Sequence, residues 1–256
     1  MPETDELFIR NRMLYGEQGH ETLQRSFVAV VGLGGVGSYA AESLVRAGIG
    51  KLRVIDCDII TPSDVNRQLI ALSTNVGTAK VEAAQERYKQ INPNVVIDSR
   101  LDFFHREKKD ELITKDLNYV IDAIDSLNPK IELISHCMNN EIPIFSSMGA
   151  SGRTNPHDIR IDMLQQTKLC PLARIVRRYL RRRNISMDFP VVYSIEPLHE
   201  INELADAETF REKSDFYPRG RKRQILPSQP TLPAIFGLMA ANYVIMSLIG
   251  KSKENK

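Results

Sequence analysis

The feature that most constrains the fold is a glycine loop between an apolar run and an amphipathic segment. Residues 27–31 read Phe-Val-Ala-Val-Val and continue directly into a loop whose glycines are Gly32, Gly34, Gly35 and Gly37. A strand, a glycine turn and a helix in this order predict the first unit of a doubly wound α/β domain. The start of the helix offers free N–H groups and partial positive charge to a phosphate. The loop therefore predicts a nucleotide site but does not identify the nucleotide.

Strand and helix patterns alternate along the first 150 residues. Apolar runs rich in β-branched residues predict strands over 27–31, 52–55, 95–99, 119–123 and 142–146. Apolar residues at helical spacing predict a helix over 39–47, and we expect a helix over 78–91, a polar helix over 106–114 and a further helix that opens around Pro129. This alternation predicts an α/β fold with a Rossmann-like, doubly wound and mostly parallel sheet. Ligands of such sheets bind beyond the carboxyl ends of the strands, where Gly32, Asp56 and Asp125 would lie.

The charge of the chain changes sign near residue 150. Residues 1–150 hold 16 Lys and Arg against 21 Asp and Glu, whereas residues 151–256 hold 18 against 11. We therefore expect an N-terminal arm over 1–25, a nucleotide-binding domain over 26–150 and a basic C-terminal region over 151–256. Two halves of opposite charge are expected to meet different partners.

The composition narrows the class of protein. With 42% hydrophobic and 26% charged residues the chain is globular in type and unlike a disordered protein. The chain has three cysteines, Cys57, Cys137 and Cys170, and no C-x-x-C pair. This pattern indicates neither a disulfide framework nor a cysteine zinc site, so we expect a cytoplasmic protein. The N-terminus lacks a secretory pattern. The apolar run over 232–249 contains Asn and Ser, so we expect a core helix and no membrane contact.

A second group of residues narrows the choice of nucleotide. Asp56, which follows Gly32 by 24 residues, suits a ribose in either a dinucleotide or ATP. It is followed by further charged and polar residues at intervals along the chain: Asp58, Arg67, Gln68, Lys80 and Asp125. Adenylation of a carboxylate develops negative charge on phosphate oxygens, which fixed cations and a metal stabilise, whereas a nicotinamide enzyme has no such need. The combination favours ATP.

These motifs resemble those of the ubiquitin-activating-type, ThiF-like adenylating enzymes over roughly residues 8–150. The resemblance implies that Asp56 holds the ribose, that Arg67 and Lys80 hold the triphosphate, and that Asp125 holds magnesium. It also implies a homodimer, because Arg12 occupies the position of an arginine that the family contributes to the partner subunit's ATP. One position departs from the pattern: Asp64 replaces the usual asparagine, so that role is not transferred.

The C-terminal region contains a strongly basic helix over 171–183. At about 100° per residue, one face collects Arg174, Arg177, Arg178 and Arg181, while the opposite face is apolar. A second cluster contains Arg221 and Arg223 in a segment rich in proline and glycine. Guanidinium groups suit phosphates, so we predict that these arginines bind RNA. The alternative is a solvated helix face.

The basic helix and the missing zinc cysteines together resemble the tRNA threonylcarbamoyladenosine dehydratase family. Segments over 72–77, 91–93 and 121–126 extend this resemblance to nearly the whole chain. It implies ATP-dependent cyclisation of threonylcarbamoyladenosine in tRNA, with ring closure onto the activated carboxylate and no covalent thioester. It also raises a sulfur-transfer protein as a partner, without indicating where such a protein would dock.

Two other functions remain open from the sequence. The first is an adenylating activator of a ubiquitin-like or sulfur-carrier protein, against which the missing cysteines count. The second is a dinucleotide-binding protein with no catalytic activity.

Overall fold

The computed structural model describes residues 4–197 and 226–250. Its strands are β1 (Phe27–Val31), β2 (Lys51–Asp56), β3 (Val96–Leu101), β4 (Tyr119–Asp122), β5 (Ile144–Ser147), β6 (Ile159–Met163) and β7 (Pro190–Ser194). Its helices are α1 (Thr4–Leu7), α2 (Ile9–Arg25), α3 (Gly37–Arg46), α4 (Lys80–Ile91), α5 (Lys109–Leu112), α6 (Leu127–Asn139), α7 (Pro171–Arg182) and α8 (Thr231–Leu248). Arg221 and Arg223 lie outside the described residues, so their predicted RNA contact stays a prediction.

The strands form one seven-stranded sheet in the order β3-β2-β1-β4-β5-β7-β6. Every neighbouring pair is parallel except β6 and β7, which are antiparallel and place β6 at an edge. The predicted α/β fold with a doubly wound, mostly parallel sheet is confirmed. The sheet also continues past residue 150, because β7 pairs with β5.

Helices cover both faces of the sheet, as the central strand β1 shows. Its residues are all buried, and they alternate between the two faces. Val28 and Val30 belong to the core cluster that contains residues of α3 and α8, whereas Ala29 and Val31 belong to the one that contains residues of α6 and α7. The carboxyl ends of β1, β2, β4 and β5 are therefore left at one edge between two helical layers.

Helix α8 is the described helix that is long and apolar enough to cross a membrane by length and composition alone. In the fold it packs closely against α3. The approach is so close that a Cβ atom, if added to Gly237, would lie 2.3 Å from the carbonyl oxygen of Val36. Leu232, Phe236 and Val244 are buried in the core. The packing agrees with the core helix predicted over 232–249.

Two elements differ from the sequence prediction. The helix predicted over 106–114 is reduced to α5, because Leu112 and Ile113 are both buried and the backbone becomes extended at Ile113. Strand β7 was not predicted: it begins at Pro190, and a proline lowers the strand signal because it has no N–H to donate.

Candidate active site

The glycine loop joins β1 to α3 under tight steric limits. Gly32 has φ of +91°, and a Cβ there would lie 2.8 Å from the carbonyl oxygen of Ala123. A Cβ on Gly37 would lie 1.7 Å from the carbonyl oxygen of Gly32. Gly34 differs, since no described atom lies within 4 Å of an added Cβ and its φ is not in the left-handed region. Packing therefore requires the first and last of these glycines, whereas Gly34 faces open space.

Asp56 ties the end of β2 to this loop. One carboxylate oxygen accepts a hydrogen bond from the backbone N–H of Leu33 at 2.6 Å, and the other accepts one from Asp58 at 2.8 Å. Burial raises the pKa of Asp56 above its ordinary value, although the nearby Lys80 ammonium lowers it. The Asp56 carboxylate is thus fixed beside the glycine loop.

Asp64 is the centre of the charged cluster, which the sequence did not reveal. It is buried in a short 3₁₀ turn (Pro62–Asp64), where its carboxylate accepts hydrogen bonds from the Thr61 N–H and hydroxyl. The same carboxylate accepts hydrogen bonds from the guanidinium of Arg67 at 3.3 Å and from the side-chain amide of Gln68. Asp64 therefore holds both residues of the Arg-Gln motif in position.

Lys80 is the first residue of α4 and is only 5% exposed. Its ammonium lies 3.3 Å from the Asp58 carboxylate and 3.9 Å from that of Asp64. Burial lowers the pKa of Lys80, but the carboxylates of Asp56, Asp58 and Asp64 outweigh it and raise that pKa above the ordinary value. Lys80 is therefore a fixed positive charge at neutral pH.

Arg67 reaches from this cluster to the glycine loop. Its guanidinium donates to the Ser63 carbonyl oxygen at 2.7 Å and to the Asn66 side chain at 3.0 Å. An added Cβ on Gly35 would lie 3.4 Å from Cγ of Arg67, so the aliphatic stem of Arg67 lies against the loop. The Arg67 side chain as a whole is 29% exposed.

The end of β4 carries two aspartates with different environments. Asp125 is exposed and lies close to the Ser126 hydroxyl, which donates to it at 3.2 Å. Asp122 is fully buried, as is its partner Lys130, and the two charged groups are 2.7 Å apart. Asp122 also accepts from the Ile124 N–H at 3.0 Å, which fixes the turn before Asp125.

The predicted site residues on β1, β2, α4 and the end of β4 come together at the carboxyl edge of the sheet. Arg12 lies apart in α2, where it pairs with Glu17 at 2.9 Å. A contribution of Arg12 to a partner subunit's site therefore stays a prediction.

Three of the four arginines predicted for the basic face of α7 are exposed: Arg174, Arg178 and Arg181. The fourth, Arg177, is partly buried. Its guanidinium donates to the carbonyl oxygens of Leu164 and Thr167 and to the Thr167 hydroxyl. Arg177 therefore has a structural contact that the helical pattern alone did not indicate.

Comparison with known proteins identifies the family of the chain. The ThiF family model matches residues 8–256. The tRNA threonylcarbamoyladenosine dehydratase of Bacillus subtilis (strain 168) is 37% identical over 243 residues, which is 94% of each chain. Structures of Escherichia coli tRNA N6-threonylcarbamoyladenosine dehydratase in complex with ATP and with AMP both align with a TM-score of 0.83 and 32% identity. The ATP complex covers 98% of this chain and 97% of that chain. The chain therefore belongs to the ThiF family, among the relatives named tRNA threonylcarbamoyladenosine dehydratases.

Proposed function

We propose that the protein uses ATP to dehydrate threonylcarbamoyladenosine in tRNA by adenylating its carboxylate. The observation that carries this proposal is the cluster in which Asp64 holds Arg67 and Gln68 while Lys80 lies beside it, next to the glycine loop. Similarity to the dehydratases over nearly the whole chain supports the substrate.

The reaction has two group transfers. A carboxylate oxygen of the substrate attacks the α-phosphorus of ATP, and the bond to the β-phosphate breaks so that pyrophosphate leaves with the electron pair. The carbamoyl group then attacks the activated carbonyl carbon, loses a proton, and displaces AMP. The net change in the nucleoside is the loss of one water. Ring closure is intramolecular, so positioning can replace a covalent enzyme intermediate.

Fixed charges stabilise the first transfer. Negative charge grows on the α-phosphate and on pyrophosphate, and cations that are already in place stabilise it without reorganisation. Lys80 and Arg67 are such cations, because their carboxylate partners hold them before any ligand binds. We assign the ribose to Asp56, and a supporting role in the cluster to Asp58 and Gln68.

Asp125 suits magnesium better than the group of Asp56, Cys57 and Asp58 does. Asp125 is exposed at the end of β4, and a carboxylate is the ligand type that Mg²⁺ prefers. Asp56, Cys57 and Asp58 also bring potential ligand atoms within 4.8 Å of one another, but Asp58 pairs with Lys80 and a thiol is a poor ligand for Mg²⁺. Bound at Asp125, magnesium would neutralise charge on the departing pyrophosphate.

The nucleotide site can be tested with Gly34→Ala. An added methyl group meets no described atom within 4 Å, so the melting temperature should stay the same. If the backbone approaches a phosphate there, the methyl group should remove one contact to a charged group, worth about 1.5–3 kcal/mol. The Kd for ATP should therefore rise roughly 10- to 150-fold by calorimetry. Gly149→Ala, at an equally open glycine after β5, is the matched control; unchanged ATP affinity in Gly34→Ala would contradict the placement.

The cysteines agree with a mechanism that forms no thioester. Cys137 and Cys170 are buried, and burial raises the pKa of the Cys137 thiol, which keeps it protonated. Cys57 is partly exposed, and its thiol donates a hydrogen bond to the Asp58 carboxylate at 3.5 Å. Activators of ubiquitin-like or sulfur-carrier proteins remain the alternative. AMP release that depends on threonylcarbamoyl-modified tRNA would support the dehydratase, whereas binding of NAD without ATP would remove adenylation altogether.

We further propose that the protein works as a homodimer built on the N-terminal arm. Helix α2 exposes Met13 by 81% and Leu14 by 69%, and Ile9 is exposed one turn before Met13. A partner subunit would cover such apolar side chains and bring its own Arg12 close to this chain's ATP site.

The shared site can be tested by mixing two inactive variants, Arg12→Ala and Asp125→Asn. Each mixed dimer would hold one intact site, formed by Asp125 of one subunit and Arg12 of the other. Activity should therefore reappear after subunit exchange, in proportion to the mixed dimers measured by native mass spectrometry. If the mixture stays inactive although mixed dimers form, the site is not shared.

The exposed arginines of α7 are proposed to contact the tRNA backbone. Replacing Arg174, Arg178 and Arg181 by glutamine should weaken tRNA binding equally for all tRNAs, because phosphate contacts position without specifying sequence. Each lost contact should flatten the log–log dependence of affinity on salt by about 0.7–0.9. Binding isotherms across a salt series measure both effects. Arg177→Gln is the matched control, since Arg177 caps backbone carbonyls; an unchanged slope in the triple variant would indicate a solvated face.

A cytoplasmic location and a sulfur-transfer partner complete the proposal. The location rests on the cysteine pattern, and the partner rests on family resemblance alone. Pull-down with a persulfide-carrying protein would test the partner.

A further inference from the structure

Arg153 is a buried cation that the assignment above does not use. It lies in the loop after β5 and is 3% exposed, and its Nε and Nη1 atoms are buried without a hydrogen-bond partner among residues 4–197 and 226–250. Other buried cations of the described chain are paired: Lys80 with Asp58, Lys130 with Asp122, and Arg53 with Asp98. An uncompensated buried charge is strongly destabilising. A position that keeps one is therefore a candidate for binding an anion.

The loop around Arg153 is held from two sides. The buried carboxylate of Glu196 accepts hydrogen bonds from the backbone N–H groups of Thr154 and Asn155, at 2.9–3.0 Å, and from the Thr154 hydroxyl. On the other side, Gly152 donates its N–H to the Pro227 carbonyl oxygen at 2.9 Å. Glu196 and Pro227 thus fix the backbone on both sides of Arg153.

The same contacts place the loop that carries Arg153 beside the proposed ATP site. Asn66, which precedes Arg67, donates to the Ser228 carbonyl oxygen at 3.2 Å, in the segment that also contacts Gly152. This segment leads into α8, where Pro233 lies 3.0 Å from an added Cβ on Gly35. The loop of Arg153, the Arg67 turn and the glycine loop therefore meet around the start of α8.

The strand order indicates which anion Arg153 would meet. The ribose residue Asp56 follows β2, the glycine loop follows β1, and Asp125 follows β4, so a nucleotide extends along β2-β1-β4. Arg153 follows β5, which is the next strand in that direction. It therefore lies on the far side of the glycine loop from Lys80, which pairs with Asp58 after β2, and an acceptor there would attack the α-phosphorus opposite a pyrophosphate held by Lys80 and Arg67.

We propose that Arg153 binds the carboxylate of the acceptor substrate and orients it toward ATP. This inference rests on the proposed function and names a further substrate-binding residue for it. A guanidinium group presents two parallel N–H donors that match the two oxygens of a carboxylate, and Nε and Nη1 are the unpaired atoms here. The substrate carboxylate would neutralise the positive charge of the buried Arg153 guanidinium.

The test compares Arg153→Gln and Arg153→Lys with Arg160→Gln, an exposed arginine on the following strand that serves as the control. Four quantities are measured: the melting temperature, the Kd for ATP, the affinity for tRNA with and without the threonylcarbamoyl group, and steady-state turnover. We expect Arg153→Gln to lower kcat/KM for modified tRNA by about 10- to 100-fold. Arg153→Lys should recover part of this loss, and Arg160→Gln should match the wild type.

The remaining measurements separate this role from a structural one. The melting temperature of Arg153→Gln should stay equal or rise, because a buried unpaired charge has been removed. The Kd for ATP and the affinity for unmodified tRNA should be unchanged. A loss of ATP affinity would assign Arg153 to the polyphosphate, and weaker binding of unmodified tRNA would assign it to a tRNA phosphate. Either result would contradict the proposal that Arg153 binds the substrate carboxylate. If the wild type does not convert modified tRNA, the proposed function fails. If it does and Arg153→Gln converts it equally well, only this inference fails.

Discussion

Asp125→Asn should reduce turnover by about 10²- to 10³-fold, the loss typical of removing one group that stabilises charge in a transition state. The substitution keeps the size and shape of the side chain and removes the negative charge needed for a metal ligand. Asp125 is exposed, so the melting temperature should change little. Single-turnover measurement of AMP formation, with magnesium varied, measures this effect.

Asp188→Asn provides the control, because Asp188 is an exposed aspartate in the segment that leads into β7. It should leave turnover and the magnesium dependence unchanged. If Asp125→Asn has wild-type turnover and the same magnesium dependence, Asp125 has no part in the reaction.

Lys130→Met should lower the free energy of unfolding by about 3–5 kcal/mol, the cost of breaking a fully buried ion pair. The substitution leaves the Asp122 carboxylate buried without its counter-charge, although Ser146 and Ile124 still donate to it. Activity should also fall, because Asp122 fixes the turn that positions Asp125. Urea unfolding followed by circular dichroism measures the stability.

The double variant Lys130→Met with Asp122→Asn separates charge from packing. It removes both charges, and paired replacement of a buried ion pair is often tolerated. We expect it to regain much of the stability lost by Lys130→Met. A double variant that is less stable than Lys130→Met would mean that Asp122 contributes through its hydrogen bonds rather than through the ion pair.

Sequence patterns predicted the parts of the fold that depend on interactions between residues close together in the chain. The strand–glycine–helix unit depends on steric limits at Gly32 and Gly37 that any sequence with this turn must meet. The order of Asp56, Lys80 and Asp125 along alternating strands and helices placed them at one edge, because parallel strands share the direction of their carboxyl ends.

The parts that sequence reasoning missed depend on contacts between distant segments. The Arg153 loop and Glu196 are 42 residues apart at Thr154, and Asn66 contacts a backbone oxygen 162 residues away. Asp64 was identified as a departure from the family pattern, but its role requires knowing that Arg67, Gln68 and Lys80 surround it. The two cations balance its charge, which explains how a carboxylate is accommodated where the family usually has an amide.

Arg177 illustrates the limit of helical periodicity. Its spacing placed it with Arg174, Arg178 and Arg181, yet the turn before α7 lies within reach and its carbonyl oxygens attract the guanidinium. A helical wheel gives the direction in which a side chain leaves its helix. It does not show which groups of a neighbouring turn the side chain can reach. The RNA contact proposed for α7 is therefore best tested without Arg177.

The central claim is that the protein removes water from the threonylcarbamoyl nucleoside of tRNA at the expense of ATP. The most direct measurement is mass spectrometry of nucleosides from modified tRNA after incubation with the protein, ATP and magnesium. The account predicts that the threonylcarbamoyladenosine peak is replaced by one lighter by a single water, in step with AMP release, and that Asp125→Asn largely abolishes the conversion. An unchanged nucleoside with an active, ATP-binding protein would contradict the account.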